Sequence, residues 1–357
     1  LSGLTNTSMC ESNSDKSIYD CGANVPDQSR VAGARRLDIA LVNNMPSAAI
    51  GATERQFQAR LNAAADGVQV RVTFFACPEI TRTEQAREHI RQNYSSIDEL
   101  WGARFDGVIV TGAEPLAPTL KEEAYWGTML RLIEWAEQNT DSAIWSCLAA
   151  HAAVLHLDGI SRCRLEEKRS GVFECEKLSA HPLLLRVPAR FWMPHSRWND
   201  LSRSTLEESG YTLLSGSPDA GVDAFAKNGK SKSLFLFFQG HPEYEPATLL
   251  LEYRRDIERY LRGVCDRYPS MPQGYLDDNT AGMLTALRQR AQSARGVERL
   301  AEFPTADLVS RVRDTWSPAA VEIYRNWLLY LVARKEQRLR TTRRRSERKA
   351  GAGQQAA

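Results

Sequence analysis

Apolar and polar positions change their period several times along this chain. From residue 37 onward, strand-length apolar runs alternate with stretches in which apolar residues recur at helical spacing. "LDIALVN" (37–43) is short, apolar and partly β-branched, which predicts a strand. "TERQFQARLNAAA" (53–65) has helical spacing, with Thr53 as the expected N-cap. "VQVRVTFFA" alternates as a strand, and "TRTEQAREHIRQNY" reads as a helix. "FDGVIVTGAEP" is a buried strand running into a Gly turn, and "EEAYWGTMLRLIEWAEQ" is an amphipathic helix. "SAIWS" (142–146) is a further strand, followed by Cys147 and a helix of small residues, Ala149 to Leu157. This order of strands and helices predicts an α/β fold: a parallel sheet with helices on both faces.

Beyond residue 160 the periods are less regular. "LEEKRSGVFEC" reads as a strand with a Gly bend and "FWMPHSRWND" as a loop. "SLFLFFQGHPEYEPATLLLEYRRDIERYL" reads as a strand, a polar turn and a long helix, and 281–337 as a helical extension. No repeat and no Pro-rich linker divides the chain, so one domain over 36–337 is expected.

Composition narrows the class. The 357 residues are 43% hydrophobic and 25% charged, as in ordinary globular proteins. A net charge of +2 gives no general attraction to nucleic acid or membrane. The Arg- and Lys-dense end, 338–357, reads as a solvated, disordered tail, with an RNA- or acidic-partner arm as the sharper reading. Residues 1–35, rich in Ser, Asn, Asp and Gly, read as a disordered leader without the regions of a signal peptide. No run of about 18 apolar residues suggests a membrane span. Seven cysteines at irregular spacing, without a CxxC pair, suggest a reducing cytoplasm rather than disulfides or zinc.

Two stretches carry candidate chemistry. Cys147 falls between an apolar strand and a helix, where a side chain is turned outward and the helix N-terminus favours a thiolate. The ordinary reading of a cysteine is a small buried hydrophobe. In "FFQGHPEYEP" an apolar strand ends at Gly240, and His241 and Glu243 follow two residues apart. In extended backbone such residues point to one side, so Glu243 can orient the His241 imidazole. Cys147, His241 and Glu243 then supply a nucleophile, a base and its orienter. In a parallel sheet, both stretches lie at strand carboxyl ends, where ligands bind.

The stretches "LVNNMPSAAIGATERQFQARL", "FDGVIVTGAEPLAPTLKEEAYW", "LEEKRSGVFE", "MPHSRW", "GHPEYEPATLLLEYRRD" and "NWLLYLV" cover roughly residues 37–335. In them the chain resembles the homoserine O-succinyltransferase (homoserine O-acyltransferase) family, of the class-I glutamine-amidotransferase-like superfamily. The resemblance implies a glutamine-amidotransferase-like sheet and acyl transfer from acyl-CoA to the hydroxyl of L-homoserine, in methionine biosynthesis. It implies that Cys147 is acylated, that His241 is the general base and that Glu243 is its partner. It places Lys168 in the active site, Ser196 against substrate, and Arg255 on the amino-acid carboxylate, for which a guanidinium fork is suited. Backbone N–H groups at Ala113–Glu114 and Leu148 would hold the oxyanion.

The chain departs from the family pattern at two places. Leu148 stands where the family commonly has Trp, and "Glu114-Pro115-Leu116" replaces a turn whose last residue helps set acyl choice. The resemblance implies that Glu at that position disfavours a succinyl group and that Gly accepts it. Leu116 carries no charge, so succinyl is expected over acetyl. The co-substrate expected is succinyl-CoA or acetyl-CoA, with no bound cofactor and no metal. Homodimers are common among such enzymes, but no interface shows in the pattern. Other readings are another amino-acid hydroxyl such as that of serine, a glutamine-amidotransferase-like hydrolase, and a nucleic-acid binder acting through its basic end. The candidate triad and the lack of aromatic–basic interleaving argue against the last.

Overall fold

The computed structural model describes residues 35–230 and 233–354; most of the expected leader therefore lies outside the described residues. The described strands form one sheet in the order β2-β1-β3-β4-β9-β8-β7-β5-β6. They are β1 (Arg36–Val42), β2 (Gln69–Phe75), β3 (Gly107–Val110), β4 (Ser142–Ser146), β5 (Cys163–Lys177), β6 (Arg190–Asp200), β7 (Thr212–Ser217), β8 (Gly221–Asn228) and β9 (Leu234–Phe238). From β2 to β9 all pairings are parallel. From β9 to β6 all are antiparallel. The parallel half is the one the alternating periods predict. The antiparallel half comes from the region where the periods blur, and the sequence reading did not resolve β7 and β8.

Helices α1 (Ile50–Ala64), α2 (Glu84–Asn93), α3 (Ile97–Gly102), α4 (Trp126–Asn139), α5 (Leu148–Asp158) and α6 (Arg203–Glu208) are followed by α7 (Thr248–Leu261), α8 (Asp278–Ser293), α9 (Thr305–Arg311) and α10 (Ser317–Gln354). Alternate residues of the strands serve two cores. Ala40, Val42, Val108, Val110 and Trp145 pack with α4 and α5, whereas Leu37, Ile39, Leu41, Ile109 and Ile144 pack with α1 and the first turns of α10. This period-2 division places helices on both faces. Gly107 lets α10 sit directly on the sheet, since a Cβ there would come within 2.8 Å of the Trp327 ring. The full burial of Trp327, Leu328 and Leu331 contributes about 2 kcal/mol per side chain.

Three local expectations need correction. Helix α1 begins at Ile50, so Thr53 lies inside its first turn and is not the cap. "FWMPHSRWND" is not a loop; it is β6, paired with β5 along its length. Its proline is tolerated because β6 is the sheet's edge, where one row of N–H groups has no ladder partner to lose. The chain also does not dissolve into a tail at residue 338, because α10 continues to Gln354. Lys335 (2.8 Å) and Arg338 (2.7 Å) reach Asp106, and Arg338 also pairs with Asp141. These buried carboxylates precede β3 and β4 at the amino edge of the sheet. They need cations, and the basic segment supplies them.

Candidate active site

Cys147 occupies the single residue between β4 and α5. Its backbone has φ 52° and ψ −112°, a left-handed conformation that costs a non-glycine residue about 1–3 kcal/mol. The strain is held on both sides. The Cys147 N–H donates to the Phe238 carbonyl on β9 (2.7 Å), and its carbonyl accepts from Ala150 (3.0 Å) and His151 (3.3 Å). The thiol is half-exposed while the strand before it is fully buried. This is the outward-turned elbow expected from the sequence.

His241 and Glu243 follow β9, the neighbour of β4 in the sheet. They meet in a turn closed by the Tyr244 N–H on the His241 carbonyl (3.2 Å), not in extended backbone. His241 Nδ1 lies 2.8 Å from Glu243 Oε1, and Ser146 Oγ donates to that same oxygen at 3.4 Å. Burial by itself would lower the His241 pKa. The Glu243 charge, with hydrogen bonding and charge from Cys147, overcomes this and raises it from 6.5 to about 10. Nε2 is buried and makes no hydrogen bond of ordinary geometry among the described residues. The turn is anchored below by Gln239 N–H on the Asp223 carbonyl (2.7 Å) and His241 N–H on the Pro194 carbonyl (2.8 Å). Gly240 must be glycine for this seating, because a Cβ would fall 2.3 Å from Asp223 Oδ1.

Tyr244 joins the triad to a second cluster. Its ring stacks on His241 with centroids 4.2 Å apart, and its hydroxyl donates to Glu252 Oε1 at 2.8 Å. Ser196 Oγ also donates to Glu252, and Lys168 Nζ lies 3.5 Å from it and 2.7 Å from Asp256. Burial would raise the Glu252 carboxyl, but Lys168, Arg255 and Ser196 hold it down at about 2. Arg255 directs Nε and Nη2 to Asp256 Oδ1 (3.2 and 3.1 Å). Lys168, Ser196 and Arg255 are therefore brought together, around a half-buried carboxylate that the sequence reading missed. The signal was present: Glu252, Arg255, Asp256 and Arg259 recur at 3, 4 and 7 residues, which is one face of α7.

The loop after β3 forms the other wall. Gly112 lies against the first residue of α5, where a Cβ would come 3.0 Å from the Leu148 nitrogen. Ala113 and Leu148 are buried there. Glu114 pairs with Arg259. Leu116 does not turn inward: its side chain is 80% exposed, while its N–H donates to Glu123. A cleft of about 280 Å³ is lined by Asn44, Ile80, Glu114, Leu116, Glu123 and Tyr125, among others.

Away from the triad, Cys175, His195 and Asp223 bring ligand-type atoms within 4.8 Å of one another. Arg197 donates to His195 Nδ1 (2.5 Å) and sets a positive charge against the group, an arrangement that opposes a metal cation. The described cysteines are free thiols, and no described helix is long and apolar enough to cross a membrane.

A strained cysteine elbow at a strand carboxyl end, with an adjacent His–Glu pair, is the arrangement that nucleophilic catalysis by a cysteine requires in an α/β fold. A homoserine O-succinyltransferase family profile matches residues 24–338, and the chain belongs to that family. It is similar to the homoserine O-succinyltransferase of Rhodopseudomonas palustris, at 46% identity over 86% of this chain and 91% of that one. It is also similar to that of Bradyrhizobium japonicum, at 44% over 83% and 90%. Among solved structures, a glutamine amidotransferase from Thermotoga maritima aligns over 76% of this chain and 98% of its own, at 16% identity and a TM-score of 0.44.

Proposed function

We propose that this enzyme transfers a succinyl group from succinyl-CoA to the side-chain hydroxyl of L-homoserine, in methionine biosynthesis in the cytoplasm. The observation that carries the reading is the Cys147–His241–Glu243 set on its strained elbow, in a chain whose relatives bear that name. His241 Nε2 accepts the Cys147 proton. The sulfur attacks the thioester carbon, a new C–S bond forms, and CoA leaves with the proton from His241. Homoserine then gives its hydroxyl proton to His241, its oxygen takes the acyl group, and the Cys147 thiol is regenerated. Amides of Ala113–Glu114 and Leu148 receive the oxyanion in both steps. The cluster beside the triad carries both signs that a zwitterionic amino acid requires. Arg255 suits its carboxylate, Glu252 and Asp256 suit its ammonium, and Lys168 and Ser196 fix those carboxylates in place.

The test is intact mass after mixing with succinyl-CoA and no acceptor. A succinyl adduct is expected on the wild type and not on Cys147→Ala. Adding homoserine, but not serine, should discharge it. Turnover by Cys147→Ala would end the covalent mechanism, and discharge by serine alone would change the acceptor.

A further inference from the structure

The nucleophile and its base come from different segments of the chain. Ser146 ends β4 opposite Phe238, the last residue of β9, so Cys147 and Gln239 leave the sheet side by side. The Cys147 N–H donates to the Phe238 carbonyl at 2.7 Å. That bond fixes a point, not the tilt of α5 against the turn that carries His241. A reacting pair tolerates little tilt, since a displacement of about 1 Å can cost about a hundredfold in rate.

A second attachment lies one helical turn further on. His151 is four residues after Cys147, and its N–H donates to the Cys147 carbonyl at 3.3 Å. Its ring Nε2 lies 2.9 Å from Gln239 Oε1. Gln239 Nε2 donates to the Val222 carbonyl on β8 at 2.8 Å. This leaves Oε1 as the acceptor and puts the ring proton on His151 Nε2. The Gln239 N–H donates to the Asp223 carbonyl at 2.7 Å. Gln239 is thus tied to β8 by backbone and side chain, two residues before His241. His151 is 2% exposed and Gln239 fully buried, so water does not compete for their bond. Burial pushes the His151 imidazole down from 6.5 to about 4. It is therefore neutral at pH 7 and acts as a fixed donor.

We propose that His151 and Gln239 are positioning residues for acyl transfer, their hydrogen bond fixing the helix that carries Cys147 against the turn that carries His241. With the Cys147–Phe238 bond it gives two points of attachment about 6 Å apart along α5. Two points set the tilt as well as the position of the elbow. The strained Cys147 backbone, at φ 52°, needs such support, because such a conformation persists only where its surroundings over-determine it.

The inference rests on the acyl-cysteine reading, and the experiment separates the two. His151→Gln and His151→Asn introduce the same amide at two lengths. The Gln amide nitrogen can take the place of ring Nε2 and donate to Gln239, whereas the Asn amide is one carbon shorter and does not reach. Turnover with succinyl-CoA and homoserine gives kcat and KM. Alkylation of Cys147 by iodoacetamide at pH 7 is followed by peptide mass, which separates it from the exposed Cys163 and Cys265. His151→Asn should lower kcat about tenfold or more, with both KM values within about twofold of wild type. It should also slow Cys147 alkylation, because a displaced His241 no longer favours the thiolate. His151→Gln should stay within about threefold of wild type in both readouts. Gln239→Met fills similar space without the acceptor; it should match His151→Asn, and it serves if that variant does not fold. The double variant His151→Asn/Gln239→Met should lose no more than the worse single one, since the bond is already gone. A lowered melting temperature with wild-type kcat and alkylation rate in His151→Asn and Gln239→Met would make the bond a matter of stability alone and overturn the proposal. Equal losses in His151→Gln and His151→Asn would overturn it too, because reach would then be irrelevant. A succinyl adduct that still forms on Cys147→Ala would overturn the acyl-cysteine reading itself, and the positioning role with it.

Discussion

Replacing Glu243 by Gln tests the centre of the mechanism with one atom changed. The carboxylate sits 2.8 Å from His241 Nδ1, in a site that excludes water. At an effective dielectric near 20, charges about 4 Å apart interact by about 4 kcal/mol, which corresponds to about three pKa units. That is most of the rise of His241 from 6.5 to about 10. Without it, burial returns the imidazole to its ordinary value or below. The Gln amide can also donate to Nδ1, leaving the proton on Nε2, where it blocks acceptance from Cys147. A loss of kcat of about a thousandfold or more is expected, the scale seen when a catalytic imidazole is held in the wrong tautomer. Single-turnover acylation by succinyl-CoA, followed by mass, reads this directly, and steady-state kinetics separates kcat from KM. A stability readout runs in parallel. Because the folded pKa of His241 is raised, its contribution is fully present below pH 6.5 and is lost as pH rises through about 10. The difference in unfolding free energy between wild type and variant should therefore shrink across that window. A variant with kcat within tenfold of wild type, and loss confined to KM for homoserine, would refute the assignment and move Glu243 to substrate binding.

Arg255→Lys keeps the charge but loses the planar fork, and KM for homoserine should rise about tenfold; an unchanged KM would remove Arg255 from the site. Gly107→Ala drives a methyl into Trp327 and should destabilise the fold by about 1–3 kcal/mol. A urea midpoint equal to wild type would mean that α10 can shift on the sheet. Leu116→Glu places its charge on an 80%-exposed side chain, where solvent and salt screen it, so the succinyl/acetyl ratio should change by less than about threefold. A swing of tenfold toward acetyl would put residue 116 in the acyl path.

The sequence alone determined the parallel half of the fold, because β1 to β4 and their helices each carry an unbroken period. It also located the candidate nucleophile and base, because Cys147 and His241 stand at the ends of recognisable apolar strands. The antiparallel half was legible only at β5, while β6, β7 and β8 were not read as strands. Strand β6 contains Pro194, which argues for a loop until its place at the sheet's edge is known. Glu252 was hidden because one carboxylate on a charged helix looks like solvent-facing surface. Only the approach of Lys168, Ser196 and Tyr244 from other elements makes it a half-buried, fully partnered anion. The basic end of the chain was misread for the same reason. Lys335 and Arg338 look solvated in sequence, yet Asp106 and Asp141, some two hundred residues earlier, lie buried at the amino ends of two strands and pair with them. Period and turn chemistry are local and survive in the sequence. The partner of a charge is set by distance in space, and only the packed sheet brings those partners together.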